Sequence, residues 1–228
     1  MLPTRIFPLG ENAVTVEFGN EVSEPLNDAA INLAEHFDQN RFRGFIEAVP
    51  AICSVTLFYE LPAVRENLAG NSTAFQFVKT LVENAAATLA DTKRENSRLV
   101  KVPVSFCEEN ALDLRFIAET TGISVTEVIE IFLSKAYRVY MLGFLPGFAY
   151  MGIVDERIAV PRKASPRLLV PKGSVGIAGR QTGIYPNASP GGWQIIGRTS
   201  LELITQDETF PCFFHPGDAV QFVDMTEQ

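Results

Sequence analysis

Ten of the chain's 16 glycines and six of its 14 prolines fall between Gly143 and Gly197. A stretch this rich in residues that tolerate positive φ, or that lack an amide N–H, cannot sustain a long helix. From Tyr137 onward the apolar runs are short: "YRVYMLGF", "RLLVPKGSVGIAG", "WQIIGRTSLELI" and "AVQFV", separated by Gly and Pro clusters. That pattern predicts an all-β barrel or sandwich. Composition leaves the densest part, "GSVGIAGRQTGIYPNASPGGW" at 173–193, open to two readings. Its glycines are either the corners of a tightly wound barrel or a cradle presenting backbone N–H donors to a small polar ligand.

The first hundred residues read differently. "RIFPLGENAVTVEFG" alternates as two strands around Gly10-Glu11-Asn12. After Ser23, a candidate N-cap, Leu26, Ala30, Leu33, Ala34 and Phe37 recur at helical spacing, and a second such helix is expected from about Thr73 to Leu89. Between them "FIEAV" and "AICSVTLFY" read as neighbouring strands. This order predicts a small α/β sandwich with its helices on one side. The polar run "DTKRENSR", 91–98, is the expected domain boundary, giving an N-terminal α/β domain at 1–95 and a β domain at 96–228. The second domain opens with the strand "LVKVPVSF". Two short helices follow, one over 111–120 closed by Gly122 and one opened by the capping box Ser124-Val-Thr-Glu127. The fold class is therefore α+β.

A hydrophobic fraction of 46% over 228 residues supports one or two globular domains. With no signal-peptide pattern and no apolar run of roughly 18 residues, the expectation is a cytoplasmic protein away from membranes. A net charge of −8 argues against a nucleic-acid partner. Cys53, Cys107 and Cys212 lie far apart beside apolar runs and read as reduced core thiols. With only His36 and His215 available as histidines, no metal site is expected. His215 has no Ser or Cys at nucleophile spacing, and no catalytic residue is assigned.

Charge singles out the glycine-rich region. Between 143 and 197 the acids are Asp155 and Glu156, against Arg157, Arg162, Lys163, Arg167, Lys172 and Arg180. That excess suits an anionic small ligand or an acidic partner surface. Arg180, between Gly179 and Gln181, is the expected anion contact, and Trp193 after Gly191-Gly192 a candidate pocket wall. Phe144, Phe148 and Tyr150 read as wall and core.

"YRVYMLGFLPGFAYMG", "PRKASPRLLVPKGSVGIAGRQTGIYPNASPGGWQIIGRT" and "HPGDAVQF" resemble the family formed by the B component of 5-oxoprolinase, also called allophanate hydrolase subunit 1 or Kip-type kinase inhibitor. The resemblance implies a cyclophilin-like β-barrel after the α/β domain. It also implies partnership with a C-component homologue and an A-component homologue to open 5-oxoproline to glutamate with ATP, without activity of this chain alone. Two other roles accompany the family: inhibition of a sensor histidine kinase, and a part in allophanate or urea carboxyl transfer. The ligand-facing positions expected are Gly147, Gly179, Arg180, Gln181, Tyr185, Gly191, Gly192 and Trp193. Two departures stand out. "FCEENALDL" keeps only Asp113 and Leu114 of the family's Gly-Pro-Asp-Leu, and Phe132-Leu133 stand where members usually carry His-Ser.

Overall fold

The computed structural model describes residues 1–66, 68, 72–89, 97–206 and 210–225. It divides into two compact units, Met1–Asn96 and Ser97–Gln228; most of the 91–98 run, up to residue 96, lies outside the described residues.

In the first unit, β1 (Arg5–Pro8), β2 (Ala13–Glu17), β3 (Phe45–Pro50) and β4 (Ser54–Tyr59) form an antiparallel sheet in the order β1-β2-β4-β3. Strand side chains alternate between faces, so Val14, Val16, Val55, Leu57 and Tyr59 share one; all five are buried. Helices α1 (Glu24–Gln39) and α3 (Ala74–Leu89) close it with Leu33, Phe37, Val78 and Val82. Thr73 caps α3 reciprocally: its hydroxyl accepts from the Gln76 N–H at 3.2 Å, and Gln76 Oε1 accepts from the Thr73 N–H at 2.9 Å. The short α2 (Leu61–Arg65), with Pro in its first turn, is too brief to show a helical period.

In the second unit, β5 (Leu99–Val104) precedes α4 (Leu114–Thr121) and α5 (Val125–Leu133). Gly122 ends α4 at φ 75°, and the Ser124 hydroxyl accepts from the Glu127 N–H at α5. The strands that follow are β6 (Ala136–Leu142), β7 (Ala149–Gly152), β8 (Arg167–Val170), β9 (Ser174–Ala178), β10 (Gln181–Ile184), β11 (Ser189–Gly191), β12 (Gln194–Arg198) and β13 (Ala219–Asp224). Six of them join β5 in one seven-stranded sheet, β12-β9-β10-β7-β6-β13-β5, and β8 pairs with β11 in a separate ribbon. Every pairing is antiparallel except that of β13 with β5. Beyond β5, Ser105 and Arg198 exchange two backbone hydrogen bonds of 2.8 and 3.0 Å, which brings the two edges together into a nearly closed barrel. The mixed α+β architecture expected from the sequence is present.

The sheet carries apolar residues on both faces. On one, Val102, Tyr137, Val139, Met151 and Phe222 pack with α4 and α5 into the larger core. On the other lies a smaller aromatic cluster around Phe148 and Trp193. Phe132 belongs to the larger core, fully buried, with ring centroids 4.8 Å from Phe222 and 5.1 Å from Tyr137, whose hydroxyl donates to the Phe132 carbonyl. The cysteines correct the reading of core thiols: Cys107 is exposed, while Cys53 and Cys212 are half-buried, all three unpaired. Truncating Phe132 to Ala leaves a cavity against the rings of Phe106, Tyr137 and Phe222. It should lower stability by about 4 kcal/mol, measured by urea unfolding; a loss below about 1 kcal/mol would place the ring outside the core.

Candidate functional site

A hollow of about 330 Å³ opens on the aromatic face of the second unit. Phe148 is its hub: Tyr150, Tyr185 and Trp193 stand edge-on to it at 4.9, 5.4 and 5.4 Å between ring centroids, the arrangement that aromatic quadrupoles favour. The strand period explains the grouping. Tyr150 alternates with buried Ala149 and Met151 on β7, and Trp193 and Ile195 alternate with Gln194 and Ile196 at β12. Gly191 gives Tyr185 its place, because a Cβ built there would lie 2.3 Å from the phenol oxygen. Burial raises the Tyr185 pKa, against a hydrogen bond with the Trp193 backbone and the charge of Arg162.

Arg162 and Lys163 supply positive charge at the rim, the Arg162 guanidinium 5.8 Å from the Trp193 ring centroid. Among the described residues no acid lines the hollow. The balancing carboxylate lies behind it. Asp113, 4% exposed, accepts four hydrogen bonds: two from Arg167 at 2.7 Å each, one from the Ile195 N–H at 2.7 Å and one from Lys163 Nζ at 3.2 Å. Asp113 also stands at the N-cap of α4, where a carboxylate ordinarily caps its own helix; here it makes no such bond, its oxygens being committed to these donors. Burial pushes its pKa up, but the Arg167 and Ile195 hydrogen bonds and the neighbouring cations outweigh that and hold it below 3.8. Lys163 is further fixed by its own N–H, which donates to the Gly192 carbonyl at 2.7 Å.

The structure brings together Tyr185, Gly191, Gly192 and Trp193 of the eight expected ligand-facing positions and leaves the other four elsewhere. Gln181 begins β10 with Arg180 in the turn before it, whereas Tyr185 follows the strand's end, about 13 Å from Gln181 at roughly 3.3 Å per residue. The exposed Arg180 side chain pairs with Glu156 at 3.2 Å, and Gln181 is a half-buried ladder residue opposite Ala178 and Gly152. Gly179 adopts φ +59° in the β9–β10 turn, with nothing within 4 Å of a built Cβ; its backbone conformation accounts for it. Gly147 lies against Leu203 and Ile204. His215 stacks on Phe210 at 4.2 Å and does not line the hollow, nor does Phe132. Arg162, Lys163 and Arg167 belong to the local basic excess, which by itself places none of them. The matching Asp-Leu pair at 113–114 was the signal for Asp113. Among the described residues no three His, Cys, Asp or Glu side chains gather as a metal cage.

Because folding lowers the Asp113 pKa, its charge contributes stability in full above 3.8, and that contribution is lost as pH falls through the lower folded value. Asp113→Ala, which leaves Arg167 and Lys163 without their carboxylate, should cost about 3 kcal/mol at pH 7. The deficit relative to the unsubstituted protein should shrink in urea unfolding as pH drops below 4; a deficit independent of pH would remove the charge from the account.

A family described as "Carboxyltransferase domain, subdomain C and D" matches residues 4–214. The chain is 43% identical to the B component of 5-oxoprolinase from Bacillus subtilis, covering 98% of this chain and 94% of that one. The crystal structure of TTHA0988 superposes with a TM-score of 0.78 at 32% identity over 93% of this chain, which spans only 39% of that longer one. Urea carboxylase of Kluyveromyces lactis shares the fold, with a TM-score of 0.75 at 22% identity, covering 97% of this chain and 22% of that one. The chain therefore belongs to the carboxyltransferase subdomain C and D family, together with the B component of 5-oxoprolinase.

Proposed function

We propose that the chain is the B component of an ATP-dependent 5-oxoprolinase and that the hollow beside Trp193 receives 5-oxoproline. Full-length similarity to a 5-oxoprolinase B component supports the activity. The observation that carries the site is a cationic rim of Arg162 and Lys163 set on five aromatic rings, Phe144 among them, with no acid among the described residues that line it. A flat lactam ring suits the aromatic wall, and its carboxylate suits the rim. The lactam carbonyl is a poor electrophile. Transfer of the γ-phosphoryl of ATP to its oxygen creates a leaving group before water attacks, and the sum consumes ATP and two waters to give glutamate, ADP and phosphate. Such a step asks the protein for placement and positive charge rather than covalent chemistry. Burial raises the Tyr185 pKa further above its ordinary value, so its phenol stays protonated at neutral pH.

Companions C and A complete the enzyme in this reading. Beside the hollow, Leu168 is 92% exposed and Leu169 64% exposed on the β8–β11 ribbon, an apolar surface for a companion to cover. TTHA0988, in which a chain of this kind is two fifths of a longer one, supports such a companion.

Purified with C and A homologues, the chain should form glutamate from 5-oxoproline only when ATP and all three components are present; no glutamate from the complete set would overturn the reading. Trp193→Ala should lower kcat/KM about tenfold, the worth of one ring contact of about 1.4 kcal/mol. Arg180→Ala, which breaks only an exposed ion pair, should leave the rate within about twofold. Leu168→Glu should weaken co-purification with C while unfolding of the isolated chain stays unchanged.

A further inference from the structure

We propose that Lys163 is a transferable cation: at rest its ammonium is parked on Asp113, and it passes to the anionic group of a ligand entering the hollow while Arg167 alone keeps Asp113 neutralised. The inference rests on the hollow being an anion-binding site, and it assigns different roles to Lys163 and Arg167, which composition treats alike.

The four bonds on Asp113 are unequal. Arg167 holds both carboxylate oxygens at 2.7 Å, and the Ile195 N–H holds one of them at 2.7 Å, whereas Lys163 Nζ stands off at 3.2 Å. The two-pronged guanidinium is the stronger and geometrically stricter partner. Lys163 lines the hollow and Arg167 does not. The main chain of Lys163 is tied to Gly192, so the movement falls to its flexible stem.

Charge counting gives the same division of labour. One carboxylate faces two cations, so the cluster carries one positive charge in excess. If Lys163 leaves, Asp113 keeps three hydrogen bonds and one full opposite charge. If Arg167 left, the buried carboxylate would lose two of its three short bonds and its two-pronged partner, retaining the Ile195 amide and one long bond to a flexible ammonium, the costlier state for a buried charge. Only Lys163 can be lent. Parked on Asp113, its ammonium keeps a partner while the hollow is empty, and the partner is exchanged rather than lost when a carboxylate arrives.

Trp193 is the chain's only tryptophan and forms part of the hollow's wall, so its emission reports occupancy directly. The full chain is titrated with acetate, pyrrolidine-2-carboxylate, 5-oxoproline and the uncharged pyrrolidin-2-one. In Lys163→Gln the carboxylates should bind at least tenfold more weakly, with pyrrolidin-2-one unchanged and the urea midpoint close to that of the unsubstituted protein. Lys163→Arg should recover most of the carboxylate affinity. Arg167→Gln should lower the urea midpoint sharply, and failure of that variant to fold supports the anchoring role equally. Unchanged carboxylate binding in Lys163→Gln overturns the proposal, as does a stability loss matching that of Arg167→Gln, or a Trp193 signal silent to every carboxylate in the unsubstituted protein. If acetate and pyrrolidine-2-carboxylate bind through Lys163 but 5-oxoproline binds no better, the transferable cation stands and the assignment of substrate falls.

Discussion

The carboxylate of Asp113 is the point on which the second unit's functional face depends. It joins three distant parts of the chain: the start of α4, the 163–167 segment and the backbone of β12. A buried charge of this kind is costly unless its oxygens are filled and its sign is matched. Four donors and two cations meet both conditions. The same bonds that make the burial tolerable hold the residues beside the hollow, with help from Gln194, whose amide donates to the Pro161 carbonyl at 3.1 Å. Core and site are therefore not separable here: the carboxylate that stabilises the packing of α4 against the barrel also sets where positive charge meets the aromatic wall.

What the sequence made legible was local. The two reciprocal or single-sided caps, Thr73 with Gln76 and Ser124 with Glu127, involve neighbours three residues apart, and the strand alternation in 5–18 and 54–59 is written in period two. What it hid was long-range. Nothing in "LVKVPVSF" or "AVQFV" says that these two strands pair in parallel, or that Ser105 meets Arg198 to bring the sheet's edges together. The site divides along the same line. Tyr185, Gly191, Gly192 and Trp193 could be found because aromatic rings beside paired glycines mark a close approach of chain to chain. Arg180 drew attention because composition counts charges without locating them; β10 runs between it and the hollow, and the length of one strand is enough to separate two ends of a single glycine-rich stretch. Asp113 lies in the run that reads as the start of a short helix, and beyond the Asp-Leu match only its partners, fifty and more residues later, give it a role.

The position of Phe132 shows how a departure from a family pattern can be absorbed. Where the resemblance implies a histidine, this chain has a ring that fills the larger core against Tyr137 and Phe222. The substitution lies in the packing between α5 and β13, and the hollow's lining is made without it.

The parallel pairing of β5 with β13 carries a consequence for how the barrel comes into being. Leu99 lies opposite Ala219, and Val104 opposite Asp224, so the first strand of this unit waits for its last. As the chain is made, every strand up to β12 can emerge while β5 still lacks its neighbour, and the barrel is completed by a contact between residues more than a hundred positions apart. Such non-local closure is slow. Until it happens, the edges of β5 and β6 that β13 will fill stand open, and the newly made chain is at its most vulnerable to pairing with the wrong strand.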